Sequence, residues 1–295
     1  MLKLGVDNGN FNTKSSDRLL YMSGFIESGA PSIDTERQLY YNGKYYAIGT
    51  GRMHVRNDKT QDDGTFLLTL PAIAEAMKRQ NVQSQGIVLG VGLPIGVYGA
   101  QHTAFRDYFL RRNIAFTYGE DEYSCDIVEC KVFPQGYAAL CKNYRLLDSY
   151  TDLTIADIGG YTVDVLSVRN KKPDKSSCIS LPLGTITLFN RIKDALMQHS
   201  IRLTDEQVAS AVRGNMQHIQ SKRIVDIAKD HVRTYVRELH NALRERGIDL
   251  QFPMVFAGGG AELLSDVLQT SDIYTVAILD RFSNAEGYRF LLENS

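Results

Sequence analysis

Asp157-Ile158-Gly159-Gly160-Tyr161-Thr162-Val163-Asp164 sets paired glycines and a hydroxyl between two acids. An apolar run from Leu153 to Ile158 enters the paired glycines, and a second run leaves through Thr162 to Val168, so the segment reads as strand, turn, strand. An acid closes the first strand, and a hydroxyl and a second acid follow the glycines. A bound polyphosphate asks for backbone N–H groups that point inward, a cation against its charge, and carboxylates for the shell of a magnesium ion.

The same order of groups stands at the start of the chain, in Asp7-Asn8-Gly9-Asn10-Phe11-Asn12-Thr13-Lys14 between the strands Leu2 to Val6 and Thr13 to Ser16. Gly9 and Asn10 permit unusual backbone angles in that turn. Lys14 can reach a β- or γ-phosphate, and Asp7 can hold a metal-bound water. Taken alone, this turn reads equally well as a plain hairpin with a polar tip. Two acid-led turns half a chain apart are better explained by a duplicated domain than by a solenoid. A third glycine turn, Gly258-Gly259-Gly260, lies between the short strand Pro253 to Ala257 and a helix, where backbone can approach a ligand closely. None of the three has the spacing of a Walker A loop or of a Rossmann GxGxxG.

Between these turns the pattern is that of an α/β protein. Tyr40 to Tyr46 carries Asn42-Gly43 between aromatic pairs, the signal of a type I′ hairpin. Leu67 to Gln80 reads as a helix with Pro71 in its first turn. Gly86 to Leu93 reads as a buried strand ended by Pro94, and Ala100 to Arg112 as a helix with Phe105 and Phe109 on one face. Tyr123 to Val132 reads as a strand, and Pro134 to Lys142 as a helix opened by its proline. Thr204 to Gln207 fits a capping box, and Ile224 to Leu243 keeps the spacing of one long helix closed by Gly247. Asn284 offers an N-cap for a last helix, Ala285 to Leu292.

The 295 residues suggest about two domains, and 43% apolar with 23% charged residues is ordinary for a globular chain. A net charge of −1 argues against direct, unspecific nucleic-acid binding. The short basic stretch Arg169 to Lys175 reads as a solvated hairpin tip. Cys125, Cys130, Cys141 and Cys178 lack metal-ligand spacing and read as buried thiols of a reducing compartment. With neither a signal peptide nor a spanning apolar run, the expectation is a cytoplasmic protein without a membrane partner.

These motifs carry a family resemblance. The first turn resembles the first phosphate loop of actins, and the second resembles the Asp-[Ile/Leu]-Gly-Gly-x-Thr-x-Asp loop of DnaK-type chaperones and bacterial actins. Ala257 to Gly260 looks like the adenosine motif, and Val132 to Ala138 like the first inter-domain helix. Val91 to Pro94, Tyr45 to Gly49 and Leu279 to Tyr288 are similar to segments of the plasmid-partition actins of the ParM/StbA group. The resemblance spans the chain in order. It implies an α/β, actin-like (ribonuclease H-like, duplicated) two-domain fold with a nucleotide cleft between the domains. Domain I would be 1–152 plus 275–295, and domain II 153–274.

It also implies roles, residue by residue. ATP (or GTP) and Mg²⁺ are the implied cofactors, with Asp7 and Asp157 holding the metal's water shell. Gln135 would orient the attacking water, and the alternative for it is a helix-terminal residue facing solvent. Gly9, Asn10, Asn12, Thr13 and Lys14 would line the phosphates from the first turn, and Gly159, Gly160, Tyr161 and Thr162 from the second. Tyr161 stands where actins often carry a small residue. Gly184 and Thr185 either line the nucleotide or simply start a helix. Gly258, Gly259 and Gly260 would approach the adenosine. The activity implied is nucleoside triphosphate hydrolysis coupled to self-assembly into filaments. Such filaments would segregate or position plasmid DNA, reaching its centromere-like site through a DNA-binding adaptor. A non-polymerising regulatory ATPase of the actin/chaperone type, or a small-molecule kinase of this fold, are the alternatives.

Overall fold

The computed structural model describes residues 1–31, 35–53, 58–215 and 221–295, and of Lys175 the backbone alone. In chain order the first elements are β1 (Leu2–Asn8), β2 (Asn12–Ser15), β3 (Leu20–Met22), β4 (Phe25–Ser28), β5 (Gln38–Tyr41) and β6 (Lys44–Ile48). There follow α1 (Gly64–Leu67), α2 (Leu70–Arg79), β7 (Ser84–Leu93), α3 (Ile95–Phe109), β8 (Ile114–Tyr118), β9 (Asp121–Pro134) and α4 (Tyr137–Lys142). Next come α5 (Tyr144–Ser149), β10 (Leu153–Ile158), β11 (Val163–Arg169), β12 (Lys172–Pro173), β13 (Ile179–Leu181), α6 (Thr185–Met197), α7 (Asp205–Val212) and α8 (Lys222–Glu245). The chain closes with β14 (Met254–Ala257), α9 (Gly258–Leu263), α10 (Ser265–Gln269), β15 (Thr275–Ile278) and α11 (Ser283–Glu293). It folds as two units, one made of Met1–Tyr144 with Phe282–Ser295 and the other of Arg145–Arg281.

The first unit is built on a nine-stranded sheet in the order β3-β2-β1-β7-β9-β8-β5-β6-β4. β1, β7 and β9 run parallel in its middle, and β1 doubles back into β2 as an antiparallel hairpin. Leu4, Val6, Ile87, Leu89 and Val91 are almost wholly buried, as expected of central strands covered on both faces. α2 adds Leu70, Ile73, Ala74 and Met77 to the same core. α11 lies close over β1: a Cβ on Gly5 would come within 2.0 Å of the Ala285 carbonyl oxygen.

The second unit repeats the plan with a sheet in the order β12-β11-β10-β14-β15, β13 pairing with β11. Again a hairpin, β10–β11, is followed by strands parallel to its first arm, β14 and β15. One face is covered by α6, α7 and α8, whose buried residues include Leu188, Ile192, Val208, Tyr235 and Leu239. This is the duplicated architecture expected from the two turns. α8 buries Ile224, Ala228, Tyr235, Leu239 and Leu243 on the expected stripe, and α7 opens with the Thr204–Gln207 capping box.

Several local readings are corrected. The helix expected over Leu67 to Gln80 is α2, which starts at Leu70, and the short α1 ends before it at Leu67; between them the Thr69 hydroxyl donates to the Thr65 carbonyl and its N–H to that of Phe66. α3 starts at Ile95, earlier than Ala100. β8 was not signalled at all. Of the four thiols, Cys125 and Cys130 are buried, whereas Cys141 and Cys178 are only partly so, and none of the four is in a disulfide. Burial pushes Cys125 and Cys130 up to about 12, so both are poor nucleophiles at neutral pH. Among the described residues no helix is long and apolar enough to cross a membrane.

Candidate nucleotide-phosphate turns

The first turn hangs from the β1–β2 hairpin, in which Asp7 lies opposite Lys14 and Asn8 opposite Thr13. Cross-strand pairing therefore brings the acid and the cation together, and Lys14 Nζ donates to Asp7 Oδ2 at 3.0 Å. Asp7 is 3% exposed, and its other oxygen accepts the Gln135 side-chain amide at 3.0 Å. Each carboxylate oxygen keeps a free lone pair for a further donor such as a water.

Side chains hold this turn from behind. Asn8 is buried and donates to the Thr65 carbonyl at 3.3 Å and to the Thr69 hydroxyl at 2.9 Å. Ser23 donates to the Gly9 carbonyl at 2.5 Å, and Lys59 donates to the Asn8 carbonyl at 2.5 Å. Thr13 is fully buried with its hydroxyl 3.0 Å from that of Ser23, so its side chain supports the turn from inside. A Cβ on Gly9 would lie 2.8 Å from the Asn12 carbonyl oxygen, which keeps the position to glycine. Asn10 is half-buried at the turn's tip.

Gln135 does not start a helix. Pro134 is the last residue of β9, Gln135 follows it with its N–H on the Leu93 carbonyl, and Gly136 then takes φ +73° before α4 begins at Tyr137. The left-handed Gly136 is what lets the chain leave the strand and enter the helix within two residues. Its N–H donates to Asn284 Oδ1 at 2.8 Å. Asn284 thus lies within α11, one residue past its start, and serves another segment instead of capping its own helix as the sequence suggests.

In the second unit Asp157 faces Asp164 across the β10–β11 hairpin. The turn is tight: the Gly159 N–H donates to the Thr162 carbonyl at 2.9 Å. Three successive carbonyls, of Gly159, Gly160 and Tyr161, accept from the N–H groups of Thr185, Ile186 and Gly184, where α6 starts. Gly184 can be nothing larger, since a Cβ there would sit 2.3 Å from the Gly160 oxygen. Thr185 is mostly buried, and its hydroxyl lies 3.4 Å from the Gly159 carbonyl, so both residues brace the turn. Thr162 donates to Asp164 at 3.0 Å, which ties up the second acid locally.

Gly258, Gly259 and Gly260 are not a separate turn; they form the first turn of α9 directly after β14. Gly258 has φ +90°, and a Cβ on it would meet Asp157 Oδ1 at 2.3 Å. The glycine run and the Asp157 carboxylate are therefore neighbours within one unit. Beside them Arg281 grips Glu262 through two side-chain hydrogen bonds of 2.7 and 2.6 Å, a fork without a local sequence signal. Burial alone would raise the Glu262 carboxyl, but these bonds and the Arg281 charge outweigh it and hold the group below its usual range.

Comparison with known proteins agrees with this architecture. The family model for the N-terminal domain of actin-like proteins matches residues 5–137, and that for the C-terminal domain of the archaeal actin homologue MreB-like matches residues 155–270. The chain belongs to the actin-like superfamily. Solved structures of an archaeal actin homologue and of ParM proteins are among those it resembles in fold. Ta0583, an archaeal actin homologue solved in complex with ADP, is 20% identical, covers 100% of both chains and has a TM-score of 0.75. Bacillus thuringiensis ParM with AMPPNP is 15% identical over 100% of this chain and 99% of its own, with a TM-score of 0.73. A 15-stranded ParM filament from Clostridium botulinum gives 18% identity, 99% coverage of both chains and a TM-score of 0.72. A sequence search of curated proteins finds no match.

Proposed function

We propose that this chain is a Mg²⁺-dependent ATPase (or GTPase) that assembles into filaments under nucleotide control. The observation that carries the reading is the repetition: each unit presents one acid-led glycine turn at the end of a β-hairpin. Relatives of the same fold hold ADP and AMPPNP, and one of them forms a filament. The donor set fits a polyphosphate with its metal. Asp7 and Asp157 offer hard carboxylate oxygens, Lys14 an ammonium, and the turn glycines leave room for close approach.

In this reading Asp7 and Asp157 hold the water shell of Mg²⁺, which would neutralise charge developing on the phosphates. Lys14 and the backbone of Gly9, Asn10 and Asn12 serve the phosphates from one unit, and Gly159, Gly160, Tyr161 and Thr162 from the other. Thr13, Gly184 and Thr185 support these turns, and Gly258 to Gly260 approach the nucleoside. Gln135 orients the attacking water; a neutral amide is a poor base, so its contribution is geometric. The filament would segregate or position plasmid DNA through a DNA-binding adaptor inside the cytoplasm. The chain's net charge of −1 favours an adaptor over direct contact. Pelleting and negative-stain microscopy with ATP, GTP, ADP and a slowly hydrolysed analogue test the proposal. Nucleotide-dependent filaments are expected; monomers under every condition would leave a non-polymerising regulatory ATPase, and no nucleotide binding at all would overturn the reading.

A further inference from the structure

We infer that Lys59 and Ser23 are positioning residues that aim the backbone amides of the first turn at the nucleotide's phosphates. In a trans peptide the carbonyl of one residue and the N–H of the next point in opposite directions. Lys59 Nζ holds the Asn8 carbonyl, and Ser23 Oγ holds the Gly9 carbonyl. Both anchors, with Asn8, Gly9, Asn10 and Thr65, line one small cavity at the turn. Pinning the two carbonyls toward Lys59 and Ser23 turns the N–H groups of Gly9 and Asn10 away from these two side chains. Among the described residues, neither of those N–H groups donates to a backbone carbonyl.

The second unit achieves the same orientation by other means. There the carbonyls of Gly159, Gly160 and Tyr161 are pinned by the backbone of Gly184, Thr185 and Ile186, so the N–H groups of Gly160, Tyr161 and Thr162 face away. In the first unit side chains do the work. Each anchor is itself fixed. Ser23 is 3% exposed, its N–H donates to the Phe11 carbonyl and its own carbonyl accepts from Met53. The Lys59 carbonyl accepts the Thr65 hydroxyl at 2.9 Å. Thr65 and Thr69 in turn hold the Asn8 side chain, so the turn and the α1–α2 junction share one hydrogen-bonded network.

This inference rests on the chain binding a nucleoside polyphosphate. Its test is the preference for ADP over AMP, measured by calorimetry with Mg²⁺ on the full chain, alongside the thermal midpoint without nucleotide. For Lys59→Met and for Ser23→Ala, ADP affinity is expected to fall about tenfold, the scale of one hydrogen bond to a charged group. AMP affinity should stay near the parent's, the unliganded midpoint should fall by only a few degrees from the lost hydrogen bonds, and Lys59→Arg should restore part of the preference. An unchanged preference in both variants overturns the inference. Loss in Lys59→Met with none in Ser23→Ala also overturns it, since Lys59 would then act by charge on the phosphate and not by turning the backbone. Equal loss of ADP and AMP affinity would reduce both residues to plain structural supports. A parent chain with no preference for ADP would instead remove the nucleotide reading on which the inference stands.

Discussion

The side-chain amide of Gln135 donates to Oδ1 of Asp7, whose Oδ2 accepts Lys14 at the same 3.0 Å. One carboxylate thus aligns both the residue proposed to place the water and the residue proposed to meet the phosphates. Gln135→Ala removes the amide and leaves Asp7, Lys14 and their charges in place. Nucleotide affinity should change little, while phosphate release should slow by roughly the 10²-fold that misplacing a reactant costs. Phosphate release recorded with light scattering checks this, and filaments of the variant should persist longer. Normal release would mean that another residue places the water.

Asp157→Ala takes away a strand-end carboxylate without disturbing the β10–β14 pairing around it. The fold should remain, and Mg²⁺-dependent nucleotide affinity should be lost. Titration calorimetry with and without Mg²⁺ reads this directly. An unchanged affinity together with an unchanged hydrolysis rate would remove Asp157 from the site.

Gly258→Ala and Gly259→Ala should behave very differently despite being neighbours. At Gly258 the new methyl meets Asp157 Oδ1 at 2.3 Å on a backbone of φ +90°, whereas at Gly259 the nearest atom is Arg281 Cβ at 3.9 Å. The strained backbone alone costs about 1–3 kcal/mol, and the carboxylate must also move. Gly258→Ala should therefore lower the urea midpoint, and Gly259→Ala should leave it near the parent's.

The Glu262–Arg281 fork predicts a pH dependence. Glu262 is held below its ordinary value of 4.5. A carboxylate depressed in the folded state adds stability that is present above that value and is lost as pH falls through the lower folded one. Urea midpoints of the parent and of Glu262→Gln should therefore differ most above about pH 5, and the difference should shrink as pH falls below 4.5 through the lower folded value. Parallel curves across that window would show that the fork contributes nothing electrostatic.

The fold and the turns were legible because their signals are local. An acid, two glycines and a hydroxyl sit within eight consecutive positions, and Asn42-Gly43 takes the positive φ values of 48° and 78° that its dipeptide announces. What stayed hidden depends on partners distant in sequence. Thr69 reads as an ordinary helical residue until Asn8 is seen bonded to it. Gln135 reads as helical because Pro134 suits a helix start, yet β9 pairs with β7 through Pro134 itself. Asn284 looks like a cap, but its acceptor goes to Gly136. Lys59 carries no motif at all, and its place behind the turn exists only once β1 and the segment before α1 are folded together.

The bond from the Gly136 amide to Asn284 also sets an order of events during synthesis. The first unit takes α11 from the far end of the chain, while Arg145–Arg281 is continuous. When the ribosome has made everything up to Arg281, the second unit has all its strands and helices, but β1 and Gly5 still lack the helix that covers them. Domains fold as units as they emerge. The earlier-made unit is therefore the later to finish, and Gln135 gains its final setting only after α11 has left the exit tunnel.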